Sequence, residues 1–318
     1  MKSILMATLL VTGCANQNGC TTEGNANTDT DVSNGTEVET DEAKLKKNVT
    51  YLCVGMEKSS RFGDCPGCKL DATRMDAMFR DKFGYKGSLL ISEKATKSAV
   101  VSKLNAGIES TPEDGMFMFC YSGHGGQESL GGKEPDGSDS QDEYLCLYDT
   151  YMLDDEIWEI VSKCKGRVFL YFDACHSATM YRSVKEMVIN VPKQEEIQKG
   201  IPLDECVGTA LSVRSDEMVS SKGFTFHPER FVGAQAMGSD GKSQFRMLCW
   251  SGCKEVQYSY GGNAGGVMTS CLMHNWKKGI SYSLLWGRTR QGVMKEQPTQ
   301  TPVQTLVGDW PTLSEAFK

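Results

Sequence analysis

Two short stretches carry residue types that do nucleophilic chemistry. Tyr121-Ser122-Gly123-His124-Gly125-Gly126 closes one strongly apolar run, and Asp173-Ala174-Cys175-His176-Ser177 closes another. A thiolate is a strong nucleophile and an imidazole is its natural base, so a Cys and a His at the ends of neighbouring strands form a nucleophilic pair. Glycines beside His124 let a substrate backbone approach closely and offer amide groups to an oxyanion. Taken singly, Cys175 reads as one more buried cysteine and His124 as a satisfied loop histidine. Two flanked motifs on successive apolar strands favour the catalytic reading.

The elements that must position this pair recur in a regular pattern. Strands are expected at 48–56, 88–92, 115–122, 143–149, 167–173 and 246–251, and helices at 71–82, 96–106, 153–163 and 264–276. Near-continuous apolar strands alternating with helices indicate one domain over 48–318, built on a mainly parallel sheet covered on both faces. In such sheets ligands sit beyond the carboxyl ends of the strands, where both motifs fall.

SGHGGQ at 122–127 and DACHSAT at 173–179 resemble the His and Cys motifs of the metacaspases, caspase-like cysteine peptidases. Ser251-Gly252-Cys253-Lys254-Glu255-Val256-Gln257 is similar to that family's SGC-x-D-x-Q loop, with Glu in place of Asp, and Gly67-Cys68-Lys69-Leu70-Asp71-Ala72 to its Gly-Cys-x-Asn-Asp-Ala segment. The resemblance implies an α/β fold, the caspase-like three-layer α/β/α sandwich with a mainly parallel central sheet. It also implies a cysteine endopeptidase in which Cys175 is the nucleophile, His124 the general base and acid, and the amides of Gly125 and Cys175 the oxyanion hole. A thioester acyl-enzyme would form and then be hydrolysed; no third triad member is evident. Cys68, Asp71, Ser122 and Asp173 match the family's acidic pocket, implying protein or peptide substrates with Arg or Lys at the cleavage site. Two carboxylates suit a guanidinium, although Asp71 by position also reads as a helix N-cap.

No cofactor is expected for the chemistry. Calcium as an activator follows from the resemblance through Asp142, Asp154 and Asp155, since hard oxygen ligands suit that ion. Against it, the acid expected after the Cys motif is replaced by Met180-Tyr181-Arg182, and acids at a helix start are accounted for by the helix dipole. The segment 182–205, with Lys185, Lys193 and Lys199, is either a self-cleavage region or a solvated loop. Two rival readings stay open: a non-catalytic caspase-like scaffold, and a clostripain-like peptidase of the same clan.

The first fifty residues differ in kind. Residues 1–13 place one Lys before a short apolar run, and Val11-Thr12-Gly13-Cys14 resembles a bacterial lipoprotein signal, which implies lipidation of Cys14 and export to a membrane surface. A plain secretory signal or an ordinary apolar N-terminus, giving a secreted or cytoplasmic protein, are the alternatives. The run is too short to span a bilayer, which takes roughly 20 residues. Residues 14–47 read as an acidic, disordered tether, because they cannot bury enough apolar surface to offset their ordering entropy. Within it, residues 15–43 hold seven carboxylates and no Lys or Arg, which accounts for nearly all of the chain's net charge of −7 and leaves 33 basic against 34 acidic residues over 44–318. The remainder is balanced, which excludes a basic nucleic-acid-binding face.

Thirteen cysteines is a high and odd number. Cys53, Cys120, Cys146 and Cys249 lie in apolar strands, where a thiol behaves as a small hydrophobe. Cys65-Pro66-Gly67-Cys68 has the CxxC form of a redox pair or half a zinc site, and no second CxxC completes the latter. A disulfide there would compete with the pocket and make the enzyme dependent on reducing conditions.

Overall fold

The computed structural model describes residues 46–128, 142–176, 219–222, 245–254 and 257–318. The expectations for residues 1–13, for Cys14, for most of the tether and for the segment 182–205 lie outside them.

The chain begins with β1 (Val49–Gly55) and α1 (Cys68–Ala77), which runs into a π-helical turn, Met78–Phe83. β2 (Lys86–Ile91), α2 (Lys97–Ser110) and β3 (Met116–Glu128) follow. β4 (Asp142–Cys146), β5 (Tyr151–Leu153), α3 (Asp154–Val161) and β6 (Arg167–His176) come next. The distal part holds β7 (Val219–Lys222), β8 (Arg246–Ser251), β9 (Tyr258–Gly262), β10 (Gly265–Gly266), α4 (Val267–Asn275), α5 (Tyr282–Glu296) and β11 (Val303–Val307).

The main sheet has the order β11-β8-β6-β3-β1-β2, with β4 pairing β3 and β5 pairing β4. From β8 to β2 every neighbour is parallel, while β11 and β4 join antiparallel. The period of two along β3 sorts its side chains. Phe117, Phe119 and Tyr121 pack with Val100, Leu104 and Ile108 of α2 and with Ile157, Ile160 and Val161 of α3. Met116, Met118 and Cys120 face the other way, onto Met75 of α1, Leu272 of α4 and Leu285 of α5. The result is a three-layer α/β/α sandwich. A second, three-stranded sheet, β10-β9-β7, accompanies it.

Local chemistry explains the helix starts. The Thr96 hydroxyl accepts from the Ala99 amide at 3.3 Å at the head of α2, and the Ser281 hydroxyl accepts from the Leu284 amide at 3.3 Å at the head of α5. Gly67, in the left-handed region at φ 89°, precedes α1. Helix α1 therefore starts at Cys68 rather than near 71, and Asp71 lies within its first turn instead of capping it. Two strands also run further than the apolar runs that announce them. β3 continues through Gly123-His124-Gly125 and β6 through Cys175, because each supplies the other's ladder partner. Loop geometry expected for His124 is thus replaced by strand geometry.

Candidate active site

The parallel register of β3 on β6 makes His124 and Cys175 direct partners, with Ser122 opposite Asp173 two residues earlier. Adjacent strands lie about 4.8 Å apart. The backbone alone therefore brings the Cys and His positions side by side, although 51 sequence positions separate them.

His124 is 2% exposed. Its Nε2 lies 3.2 Å from the Asp64 carbonyl oxygen, and a carbonyl only accepts, so Nε2 carries the proton. The tautomer this selects leaves Nδ1 as the basic nitrogen. The Tyr121 hydroxyl, 2.6 Å from the carbonyl oxygens of both His124 and Cys146, ties the end of β3 to β4. Gly123 must be glycine because a Cβ there would run into the Tyr121 ring and Met56. Gly125 stands opposite Leu145 of β4 and His176 of β6, so it lies in a paired strand, not in an open loop.

Asp71 and Asp173, the two carboxylates expected in the substrate pocket, are each 1% exposed. Asp71 Oδ2 accepts from the Ser122 hydroxyl and from the Gly266 amide, each at 2.8 Å. Its Oδ1 is buried with no hydrogen-bond partner. Burial first, then the nearby Asp173 charge, push the Asp71 carboxyl up to about 8. Asp173 Oδ2 accepts from the Thr269 amide at 2.8 Å and the Thr269 hydroxyl at 2.7 Å, and Oδ1 from the Ser259 hydroxyl at 3.1 Å. Burial raises this carboxyl too, against those donors.

The glycine-rich stretch 261–266 forms the β9–β10 hairpin lying directly on this pair. A Cβ on Gly265 would run into Asp71 Oδ1, and one on Gly266 into Asp173 Oδ2. Gly67 abuts the same hairpin, where a Cβ would strike the Gly262 carbonyl. The Arg74 guanidinium, half-buried on α1, donates to the Ala264 carbonyl at 2.8 Å and eases the Asp71 charge. Cys68, 3% exposed, begins α1 three residues before Asp71.

The SGC loop is a brace. The Gly252 amide donates to the Phe172 carbonyl at 2.8 Å, and Gln300 Nε2 donates to the Gly252 carbonyl at 2.9 Å and to the Ser259 hydroxyl at 3.0 Å. The loop thus holds the hydroxyl that serves Asp173. Its Glu255 lies outside the described residues.

Of the residues expected for calcium, the Asp142 side chain lies outside the described residues. Asp154 is buried at the head of α3 while its neighbour Asp155 is exposed, as successive helix residues must point apart. Among the described residues no three His, Cys, Asp or Glu side chains converge. Glu156 is engaged elsewhere, accepting from the Leu153 amide at 2.9 Å and pairing with Lys97 at 2.7 Å.

A family model described as the caspase domain matches residues 52–307, from β1 to the end of β11. The chain belongs to the caspase-domain family of peptidases. Within it, the chain is similar to metacaspase-1 of Eremothecium gossypii, 25% identical over 294 residues that cover 81% of this chain and 60% of the relative. It is also similar to metacaspase-1 of Cryptococcus neoformans, 24% identical over 252 residues, covering 70% and 53%. The caspase-domain chain thus spans about 53–60% of the length of these two curated relatives. A crystal structure of a Geobacter sulfurreducens protein shares the fold, with TM-score 0.56 and 22% identity over 84% of this chain and 97% of that one.

Several residues of this caspase-domain site carried no readable signal in the sequence. Asp64 acts through its carbonyl, which every residue owns. Thr269, Ser259 and Gly266 belong to elements far along the chain and meet the carboxylates only after the fold closes. Arg74, one turn after Asp71, could have been found from helical spacing.

Proposed function

We propose that this chain is a cysteine endopeptidase that cleaves after Arg or Lys. The observation that carries the proposal is the register pairing of His124 with Cys175 beside the buried Asp71–Asp173 pair. In this mechanism the Asp64 carbonyl accepts a hydrogen bond from Nε2–H and so fixes the ring's tautomer and orientation, leaving Nδ1 to take the Cys175 proton. The thiolate attacks the scissile carbonyl, His124 returns the proton to the leaving amine, and a water activated by His124 then hydrolyses the acyl-enzyme. The amides of Gly125 and Cys175 serve the oxyanion, which requires the β3–β6 pairing to part beyond these positions.

The unpartnered Oδ1 of Asp71 supports a cationic P1 side chain, because a buried acceptor without a donor is costly unless a ligand supplies one. Reaching it requires the β9–β10 hairpin to move. Hydrolysis of Arg-, Lys- and Asp-terminated fluorogenic peptides, with calcium and with chelator, tests the reading. Arg or Lys preference that vanishes in Cys175→Ala supports it; Asp preference, or activity surviving in Cys175→Ala, overturns it. No step is assigned to calcium. Lipidation of Cys14 and export remain part of the proposal, and mass spectrometry of the N-terminus of the expressed protein tests them.

A further inference from the structure

We propose that Cys65 and Cys68 form a reversible intrachain disulfide whose redox state sets the reactivity of the catalytic pair; its effect on hydrolysis rests on the peptidase reading above. The two thiols lie 2.8 Å apart. A type II turn puts them there: Pro66 occupies its second position, Gly67 its third at φ 89° and ψ −14°, and the Cys68 amide closes it on the Cys65 carbonyl at 3.3 Å. Proline presets φ at the second position, glycine accepts the positive φ at the third without steric cost, and the turn is already formed in the folded chain, so ring closure asks for little further ordering. A disulfide needs about 2.05 Å between sulfurs, so closure takes a shift of under about 1 Å.

Cys53 and Cys120 also stand opposite each other, on β1 and β3, but mid-sheet between both helix layers. The Cys65 and Cys68 side chains are each 3% exposed, but their turn lies at the surface, flanked by exposed Gly63, Asp64 and Lys69, so a local opening of the turn brings an oxidant to them.

The turn touches the site on three sides. Asp64, bonded to Cys65, supplies the carbonyl that orients His124. Gly67 rests on the hairpin that covers the two carboxylates. Cys68 opens the helix that carries Asp71. The Cys65 amide, donating to the Glu57 carbonyl at 2.8 Å, anchors the turn to the chain just beyond β1. The His124 hydrogen bond of 3.2 Å is already at the long end of its range, so a sub-ångström shift at Cys65 weakens it. Oxidation then leaves the imidazole poorly oriented.

A small disulfide such as oxidised glutathione supplies the oxidant. One protein thiolate attacks a sulfur of it, the S–S bond breaks, and the first glutathione leaves as a thiol. The second protein thiolate attacks the mixed disulfide and releases the second. Two protein thiols lose two protons and two electrons, and one disulfide becomes two thiols.

The test treats full-length protein with oxidised glutathione, removes it, and follows three readouts. These are the mass of the tryptic peptide spanning residues 62–69, the rate of Cys175 alkylation by iodoacetamide, and kcat/KM on an Arg substrate. The expected result is a peptide lighter by two hydrogens, with alkylation and kcat/KM both reduced about tenfold and both restored by dithiothreitol. Cys65→Ser keeps its reduced-state activity and ignores the oxidant. Should that variant fail to fold, dithiothreitol reversal in the wild type carries the comparison. A 62–69 peptide that stays reduced, a disulfide that leaves alkylation unchanged, or equal loss in Cys65→Ser overturns the proposal. If reduced protein hydrolyses no Arg or Lys peptide, the peptidase reading fails, while the mass and alkylation readouts still decide the disulfide.

Discussion

At the scale of single residues, the proposed mechanism divides the site into groups that react and groups that hold them. Cys175→Ala and His124→Ala should each lower kcat/KM by at least ~10³-fold with little change in thermal stability, measured by hydrolysis and by melting. Asp71 makes a sharper test, because its carboxyl is pushed up to about 8 while an exposed one titrates near 4. The neutral acid cannot pair with a guanidinium, so KM for an Arg peptide should fall as pH rises from 6 towards 9. Asp71→Asn should flatten that dependence, and a KM that is level with pH in the wild type would count against the pocket. The linkage to stability runs the same way. A carboxyl raised on folding favours the native state below its unfolded pKa, and that contribution is lost as pH rises through the folded value. Wild type should therefore lose stability relative to Asp71→Asn between about pH 4 and pH 8, read from melting temperatures.

At the scale of elements, the parallel pairing of β3 with β6 and the glycine hairpin β9–β10 do most of the positioning. Gly266 has ordinary backbone angles, φ −71° and ψ 146°, so alanine there is opposed not by strain but by Asp173, which its Cβ would strike. Gly279 is the converse: its φ of 84° strains any side chain, yet nothing lies within 4 Å. Gly266→Ala should raise KM for Arg peptides severalfold and lower stability by about 1–3 kcal/mol. Gly279→Ala should cost only about 1 kcal/mol and leave KM alone. Equal effects on KM would mean that the hairpin does not bear on the pocket. The hairpin's role was only partly legible in the sequence. The glycines of 261–266 are plain in the sequence, but not that their backbone packs on two carboxylates some 90 and 190 positions away. Helix α5 is a different kind of omission, since Tyr282, Leu285, Thr289 and Val293 recur at helical spacing and are buried. Arg, Gly and Gln interrupt that periodicity and mask the helix in the sequence.

At the scale of the whole molecule, the carboxyl-terminal segment closes one face of the sheet. Phe317, fully buried, brings its ring within 5.2–6.3 Å of those of Phe79, Phe83, Phe169, Trp250 and Tyr282, while its carbonyl accepts from the Tyr85 hydroxyl at 2.6 Å. Phe317→Ala should cost about 3–5 kcal/mol in denaturant unfolding, and a loss below about 1 kcal/mol would show that the segment only decorates the core. Periodicity by itself determined the alternating α/β sandwich, and the motifs with their family resemblance singled out Cys175, His124, Asp71 and Asp173 as candidates, because apolar repeats and residue chemistry are local properties. Only the tertiary structure decided that both motifs lie within strands, that a backbone carbonyl at Asp64 holds the imidazole, and that a glycine hairpin covers the acids. Each of these depends on strand register or on a contact between distant segments, and a backbone carbonyl or a hydroxyl donor looks the same in sequence wherever the fold puts it.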